Sequence, residues 1–509
     1  MNIAQKIAKE STITFSGMVY GNINRYLYTA LLARWVGVEF LGVYSLANAI
    51  MIIGEVVAKM GLETGVMRFV SRLESNTHKY QMQEIIQSSL KMTIVFSITI
   101  TILLSAFAWV LTSIFRGTLL LYYTIIVFAF TIPFNSITMV AAFATQGYKL
   151  LKYKVFTTQF LNPTVLLVSM VIFYWFISEE SAIILPMSVT GVLGSITMLL
   201  ILKKVSGVKL MGVLSSPFDG QLLAYSIPLM LVTILQTFMH WMDIIMLGYF
   251  TDASVVGLYH PAARTAGLLQ ALLISFISIY APMISQLHGN GDFREMSRLY
   301  KLVSRWLLTF SIPVSLIFIF YPAKVMLLFG PDYMESASVL VILTIATFLQ
   351  TILGAAGPIL SMSGYTRLVF WNSLGAFILN LVLNIIFIPK FGIIGAAWST
   401  LISLTALGLA RIIEVQLLLK LSFCSSRLYK PLLAGLVTSF CILSIRSFVM
   451  VYHTIVTLSI VVLFSILIYG FVLWFLKLEP EDKDFWSGLI ILRKRKGTKT
   501  IMNIARYEE

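Results

Sequence analysis

The chain of 509 residues is 58% hydrophobic and only 12% charged, and its mean hydropathy is +0.90. A soluble domain carries about 25% charged residues, so the composition excludes an ordinary soluble protein and predicts an all-α integral membrane protein. A formal net charge of +15 would suit a nucleic-acid partner, but most basic residues fall in loops between apolar segments. Binding of nucleic acid is therefore not expected.

Apolar segments long enough to cross a bilayer recur along the whole chain. A transmembrane helix needs roughly 20 mostly apolar residues, and these segments are too long and alternate too little to be barrel strands. We predict fourteen transmembrane helices. They are expected at residues 13–33, 40–60, 89–112, 119–142, 155–177, 182–202, 222–249, 256–284, 302–322, 337–362, 366–388, 392–419, 429–451 and 455–476.

Lysine and arginine are distributed unevenly between the two sides of these spans. The 37 basic residues concentrate in the N-terminal segment, in every second loop and in the C-terminal tail. By the positive-inside rule, this pattern predicts that both termini lie in the cytosol. The expected location is the plasma membrane. The tail, residues 477–509, mixes apolar side chains with the basic run Arg493–Lys496. It is interpreted either as an interfacial amphipathic helix or as a solvated basic tail.

The two halves of the chain resemble each other in sequence. GVYSLA at residues 42–47 aligns with GLYHPA at residues 257–262, 215 positions later, and more identities follow after a one-residue gap. Six predicted spans separate equivalent points, which is typical of parallel repeats around a central site. The sequence therefore predicts two six-helix lobes around a central cavity. Their expected bounds are 1–203 for the N-lobe, 204–221 for a cytosolic connector, 222–420 for the C-lobe and 429–476 for two additional helices.

A few polar and charged residues lie deep inside the predicted spans, where charge costs roughly 2.5–3.5 kcal/mol to insert. Such residues are expected to face partners or a water-filled cavity. Those in the first and seventh spans follow the 3–4 spacing of one helix face, and Arg25 and His240 occupy equivalent repeat positions. A guanidinium suits phosphate oxygens, so the predicted binding set is Asn22, Arg25, Gln236, His240, Asp243 and Arg264.

A structural interpretation of the same residues remains open. Arg264 could pair with Asp243, Arg25 could donate to neighbouring carbonyl groups, and His240 could be a satisfied core histidine. Two other charged pairs have the spacing of helix-surface ion pairs and are interpreted in that way: Glu55 with Lys59, and Arg411 with Glu414.

Two longer stretches resemble a known family. LLARWVGVEFLGVYSLANAI followed by GLETGVMRFVSRL, at residues 31–50 and 61–73, is similar to the opening of polysaccharide transport family flippases. Residues 363–403 match that family's pattern of an Asn-rich span, a Pro-ended loop and Gly-x-x-Gly-Ala-Ala at the start of the next helix. This family includes the O-antigen and oligosaccharide-lipid flippases, and its superfamily also holds the multidrug and toxin extrusion transporters. The resemblance implies flipping of a polyprenyl phosphate- or diphosphate-linked oligosaccharide by alternating access.

Three functions are compatible with these features. The leading hypothesis is a lipid-linked oligosaccharide flippase for surface polysaccharide or glycan assembly, with lipids as neighbours and with polysaccharide polymerases or glycosyltransferases as possible partners of a monomer. The first alternative is a cation-coupled multidrug exporter, and the second is a non-transporting membrane scaffold in envelope assembly. No nucleophile–base pair, phosphate loop or metal-ligand spacing was found, so an enzyme, a cofactor and a metal site are not expected.

Overall fold

The computed structural model describes residues 3–73, 78–423, 426–449 and 451–476. The predicted basic tail at 477–509 lies outside the described residues. All regular secondary structure in these ranges is helical, which confirms the predicted all-α fold.

The first half contains nine α-helices and one π-helical segment. They are α1 Ile3–Val36, α2 Val38–Lys59, α3 Leu62–Arg72, α4 Lys79–Ala106, α5 Ala108–Ile114, α6 Leu119–Gly147, α7 Leu151–Val155, the π segment Phe156–Leu161, α8 Asn162–Phe176 and α9 Glu179–Ser206.

The rest of the described chain contains ten α-helices. They are α10 Gly220–Phe250, α11 Ala253–Ala266, α12 Leu268–Gly289, α13 Phe293–Phe320, α14 Pro322–Met326, α15 Ala337–Leu353, α16 Ala356–Met362, α17 Thr366–Leu419, α18 Tyr429–Val449 and α19 Thr454–Phe475. Three short 3-10 turns, Leu210–Gly212, Pro331–Ser336 and Ser426–Leu428, precede α10, α15 and α18 respectively.

Twelve helical runs in the described part of the chain are long and apolar enough to cross a membrane. The polar helix α1 is not among them, and α17 counts once although it is broken at Gly392, whose φ of 56° and ψ of −131° are not helical. Glycine adopts this conformation without steric cost. The break falls at the first residue of the predicted twelfth span, and the total of fourteen stays a prediction.

Helices α2 and α11 bring the two halves into backbone contact. A Cβ built on Gly42 would overlap the carbonyl oxygen of Ala253, and one built on Gly257 would overlap that of Val38. Both pairs of equivalent residues are 215 positions apart, the same offset that aligns the two halves. Because each glycine makes the contact that its equivalent makes, the geometry is that of a two-fold interface.

Further contacts close the end of the bundle that holds Arg34, which we call the Arg34 end. The Arg34 guanidinium donates to the carbonyl oxygen of Leu327 at 3.4 Å, and the Tyr333 hydroxyl donates to that of Ala33 at 3.5 Å. The Tyr26 ring lies 5.4 Å from the Phe329 ring, centroid to centroid. All three contacts join α1 to the second half of the chain.

At the opposite end, α3 packs on the start of α10. The Arg68 guanidinium lies 4.1 Å from the centroid of the Tyr225 ring, and a Cβ on Gly61 would overlap the Ser226 carbonyl oxygen. We call this the Arg68 end. The two ends are therefore closed by different kinds of contact, one reciprocal between the halves and the other made by α3 and α10.

The connector between the halves is bound to one face of α4. Three side chains spaced four residues apart donate to its carbonyl oxygens: Gln83 to Ser206 at 2.9 Å, Gln87 to Lys209 at 2.9 Å and Lys91 to Ser216 at 2.6 Å. The backbone N–H of Asp219 donates to the Ser88 hydroxyl at 3.0 Å. The connector is thus anchored along its length to the first half.

Candidate functional site

A cavity of about 630 Å³ lies between the two halves. Its walls come from α1 and the π segment on one side and from α10, α11, α12, α15 and α17 on the other. All six residues of the predicted binding set line it: Asn22, Arg25, Gln236, His240, Asp243 and Arg264. The structure therefore brings the predicted residues together at one chamber.

Arg25 lies on the α1 wall, one turn from Asn22. Its Nη1 donates to Gln159 Oε1 at 3.2 Å, and its Nη2 donates to the Thr158 carbonyl oxygen at 2.9 Å. Both acceptors are uncharged, so the guanidinium is hydrogen-bonded but not neutralised. Thr29, on the same helix face, instead donates to the Arg25 carbonyl oxygen at 3.0 Å.

Arg264 lies in the last turn of α11, which ends just before Gly267. The sequence predicted one continuous span at 256–284, and this break corrects that prediction. Arg264 makes no hydrogen bond or ion pair with any residue that the structure describes, so the predicted alternative, a pair with Asp243, is not formed. Arg264 and Arg25 line the same cavity, so two positive charges face one chamber.

Asp243 is held by three neutral donors. The Tyr259 hydroxyl donates at 2.6 Å, the Thr400 hydroxyl at 2.5 Å and the Asn384 amide at 3.1 Å. Asn384 also donates to Asn380 Oδ1 at 3.1 Å. Asp243 is thus bonded by neutral groups, and it forms no ion pair with either arginine among the described residues.

Gln236 and His240 continue the α10 stripe that ends at Asp243. The His240 ring packs edge-on against Trp241 at 5.4 Å between centroids, and Trp241 stacks on His260 at 6.5 Å. All three rings line the cavity that also holds the two guanidiniums. Sequence reasoning found the stripe from its 3–4 spacing and included Arg264 on α11, but it did not include Tyr259 or His260 on the same helix.

Arg411 is a cavity residue that the sequence analysis placed wrongly. It was expected to pair with Glu414 on the helix surface, but Glu414 accepts from the Asn372 amide at 2.6 Å instead. Arg411 lines the cavity, reaches Ser373 Oγ only at 3.5 Å, and its buried Nε has no hydrogen-bond partner. A stripe along α17 could have revealed it, because residues 400, 403, 404, 407 and 411 share one helix face and all line the cavity.

Replacing Arg411 with glutamine is expected to slow transport of an anionic substrate roughly tenfold, the loss of about one charge-assisted contact. Stability should change little, because the side chain has one long hydrogen bond and no ion pair within 4 Å among the described residues. The measurement is initial transport rate in proteoliposomes together with the melting temperature in detergent. Arg367→Gln is the matched control, since Arg367 is exposed at the start of the same helix; equal rates for the two variants would contradict a role for Arg411.

Two protein-family models match this chain. The family model described as "Polysaccharide biosynthesis protein" matches residues 7–288, more than half of the chain, and the MatE model matches residues 228–386. The two models overlap at residues 228–288, which contain most of α10, all of α11 and nearly all of α12. The resemblance found in the sequence is therefore confirmed.

The curated proteins that match share only 27–28% sequence identity with this chain, over part of its length. The uncharacterized membrane protein MJ1068 of Methanocaldococcus jannaschii is 28% identical over 202 residues, which cover 38% of this chain and 39% of that protein. The "Probable low-salt glycan biosynthesis flippase Agl15" of Haloferax volcanii is 27% identical over 167 residues, which cover 33% of this chain and 35% of that protein. The chain thus matches little more than a third of the length of these curated relatives.

Among solved structures, the lipid II flippase MurJ in an inward closed conformation has the same fold. The two superpose with a TM-score of 0.72 at 16% sequence identity, over 94% of this chain and 99% of that one. At this identity the likeness concerns the fold alone. The family is established by the match over residues 7–288, and the chain belongs to the polysaccharide biosynthesis protein family of multi-pass membrane proteins.

Proposed function

We propose that this protein flips a lipid-linked oligosaccharide across the cytoplasmic membrane by alternating access. The substrate would be a glycan on a polyprenyl phosphate or diphosphate, supplied for surface polysaccharide or glycan assembly. The proposed lobes are residues 1–203 and 222–420, and both termini would be cytosolic, as the distribution of basic residues predicts.

The charge of the cavity lining carries this proposal. Among the described residues that line it, three arginines, Arg25, Arg264 and Arg411, stand against one acid, Asp243. Asp243 is already held by hydroxyl and amide donors, and none of the arginines is ion-paired with it. A chamber lined by guanidiniums that form no ion pair with any described residue favours a phosphate-bearing head group, because guanidinium donors match phosphate oxygens in both charge and geometry.

The amphiphilic shape of such a substrate suits a polar chamber inside an apolar bundle. Glycan and phosphate would enter the cavity, where water and polar side chains replace bulk solvent, while the isoprenoid tail would stay in the bilayer. Burying a charged head group in hydrocarbon without such a chamber costs many kcal/mol, and the cationic lining lowers this cost.

Alternating access would require the contacts at the two ends to open in turn. The Arg34 end is closed by the reciprocal glycine contact and by the contacts of α1, and by the predicted orientation it faces outward. Opening it toward the outside would require separating α2 from α11. The anchored connector would keep the halves together as they move relative to each other.

A cation-coupled multidrug exporter remains the alternative, and one observation favours it: the MatE model matches residues 228–386. A site for cationic drugs needs accessible carboxylates, and Asp243 is the one acid that lines this cavity in the described chain. A membrane scaffold has less support, because a scaffold does not need a polar cavity between its halves.

The proposal is tested with purified protein in proteoliposomes. A fluorescent isoprenoid diphosphate sugar in the bilayer is bleached in the outer leaflet by membrane-impermeant dithionite, and the protected fraction reports flipping. We expect the protein to accelerate exchange of this anionic probe, and not uptake of the cationic dye rhodamine 6G. Transport of the dye alone would support the exporter, and transport of neither probe would support the scaffold. Glycosyltransferases or a polymerase remain proposed partners.

A further inference from the structure

Arg25, on α1, is hydrogen-bonded to the π segment, which packs against α1. Gly17, Gly21 and Arg25 lie four residues apart and so share one face of α1. A Cβ on Gly21 would lie 2.6 Å from Gln159 Oε1 and 2.9 Å from the Gln159 carbonyl oxygen, and one on Gly17 would lie 2.6 Å from Val155 Cγ1. The two glycines therefore allow α1 to pack directly on the π segment, with Arg25 beside Gln159.

The π segment offers Arg25 a free carbonyl group because of a proline. The Asn162 N–H donates to the Thr157 carbonyl oxygen, so it is not the donor for Thr158. The next residue, Pro163, has no N–H to donate. The Thr158 carbonyl oxygen thus loses both donors that an α- or π-helix would supply, and the Arg25 guanidinium takes their place at 2.9 Å. Isolated π-helical turns occur frequently at functional sites.

Both acceptors of Arg25 are neutral, although a glutamate at position 159 would fit the same space. A glutamate would form an ion pair with Arg25 and cancel its charge. The glutamine oxygen and the backbone carbonyl fix the guanidinium in position and leave its charge and its remaining N–H donors for a ligand. Such a neutral pair of acceptors suits a ligand-binding arginine better than a purely structural one.

We propose that the π segment and Gln159 form a neutral cradle that positions Arg25 as an uncompensated cation, and that Gln159 thereby sets the preference of the cavity for anionic head groups. This inference rests on the proposed function. Gln159 acts through Arg25, so it is a positioning and selectivity residue. Its exchange for an acid should change which head groups bind without disturbing the fold.

The decisive variant is Gln159→Glu in the full-length protein. We expect binding of farnesyl diphosphate to weaken about tenfold or more, which corresponds to the loss of one charge-assisted contact, while binding of the neutral alcohol farnesol stays the same. The melting temperature should stay the same or rise, because an ion pair between Arg25 and the new glutamate would strengthen the contact between these two positions. Flipping of the fluorescent diphosphate probe should fall in parallel.

Gln146→Glu is the matched control. Gln146 Oε1 accepts from Lys154 Nζ at 3.0 Å in the same half of the protein, but Gln146 does not line the cavity. The control also places an acid beside a half-buried cation, and it should leave diphosphate binding and flipping unchanged. An equal loss in Gln146→Glu and Gln159→Glu would overturn the cradle.

Gln159→Met covers the case in which the acid prevents folding. It removes the acceptor without adding charge, so diphosphate affinity should fall by less than in Gln159→Glu, and farnesol binding should not change. Undiminished diphosphate binding in Gln159→Glu, or in Gln159→Met if the acid does not fold, overturns the inference. If Arg25→Ala loses flipping at the same time, the proposed function stands. If Arg25→Ala also flips normally, the proposed function fails with it.

Discussion

Arg264→Ala is expected to reduce flipping of an isoprenoid diphosphate sugar by roughly 10- to 100-fold, the loss of a charge-assisted, paired contact to phosphate. The protein should still fold and insert, because Arg264 has no hydrogen-bond or ion-pair partner among the described residues that its removal would leave unsatisfied. Its removal would also leave one positive charge fewer in the cavity that holds Arg25. We therefore expect an unchanged or higher melting temperature together with a large loss of transport.

Two companion variants sharpen this test. Arg264→Lys keeps the positive charge but loses the planar fork of donors, so its flipping rate should lie between those of the wild type and the alanine variant. Arg72→Ala removes an exposed arginine at the end of α3 that does not line the cavity, and it should behave as the wild type. Wild-type rates in Arg264→Ala in the dithionite assay would remove Arg264 from the proposed site.

Gly42→Ala should disrupt the contact that closes the Arg34 end. The added methyl group would overlap a backbone carbonyl oxygen of Ala253, which cannot move aside as a side-chain tip could. Overpacking of this kind typically costs 1–3 kcal/mol, and the strain is present only while α2 and α11 touch. We expect a lower melting temperature, slower flipping and a larger population with this end open.

The open population can be measured by labelling. A cysteine placed at Val38, which contacts Gly257 across the interface, should react faster with a membrane-impermeant maleimide in the Gly42→Ala background. Gly257→Ala should give the same result, because the contact is reciprocal. Gly470→Ala is the control, since no atom lies within 4 Å of a Cβ at that helix position. A Gly42→Ala protein as stable and as active as this control would show that the contact does not limit the cycle.

Much of the site could be predicted from the sequence because its residues obey local rules. The 3–4 spacing of Gln236, His240 and Asp243 placed them on one face of a helix, and the repeat offset put Arg25 opposite them. A charge inside an apolar span must face a partner or water, and this rule identified Arg264. These inferences need only helix geometry and the cost of burying charge.

Other features depend on contacts that spacing does not reveal. Arg411 and Glu414 have the spacing of an ion pair, but in the folded protein Glu414 accepts a hydrogen bond from Asn372 instead. Hydropathy treated residues 256–284 and 337–362 as continuous spans, although the structure breaks them after Ala266 and after Leu353. The cradle of Arg25 depends on the missing N–H of Pro163, whose effect appears only when α1 is packed against the π segment.

The reciprocity of the α2–α11 contact has a consequence for the origin of the protein. Gly42 touches Ala253 as Gly257 touches Val38, so two identical copies of one half could have associated in this way as a homodimer before their genes fused. After fusion, each copy would have been able to diverge. The residue equivalent to Asp243 in the first half is Tyr28, whose ring lies 5.6 Å from the Tyr44 ring, centroid to centroid. The interface between the halves is thus common to both copies, whereas the acid that lines the chamber belongs to one copy alone.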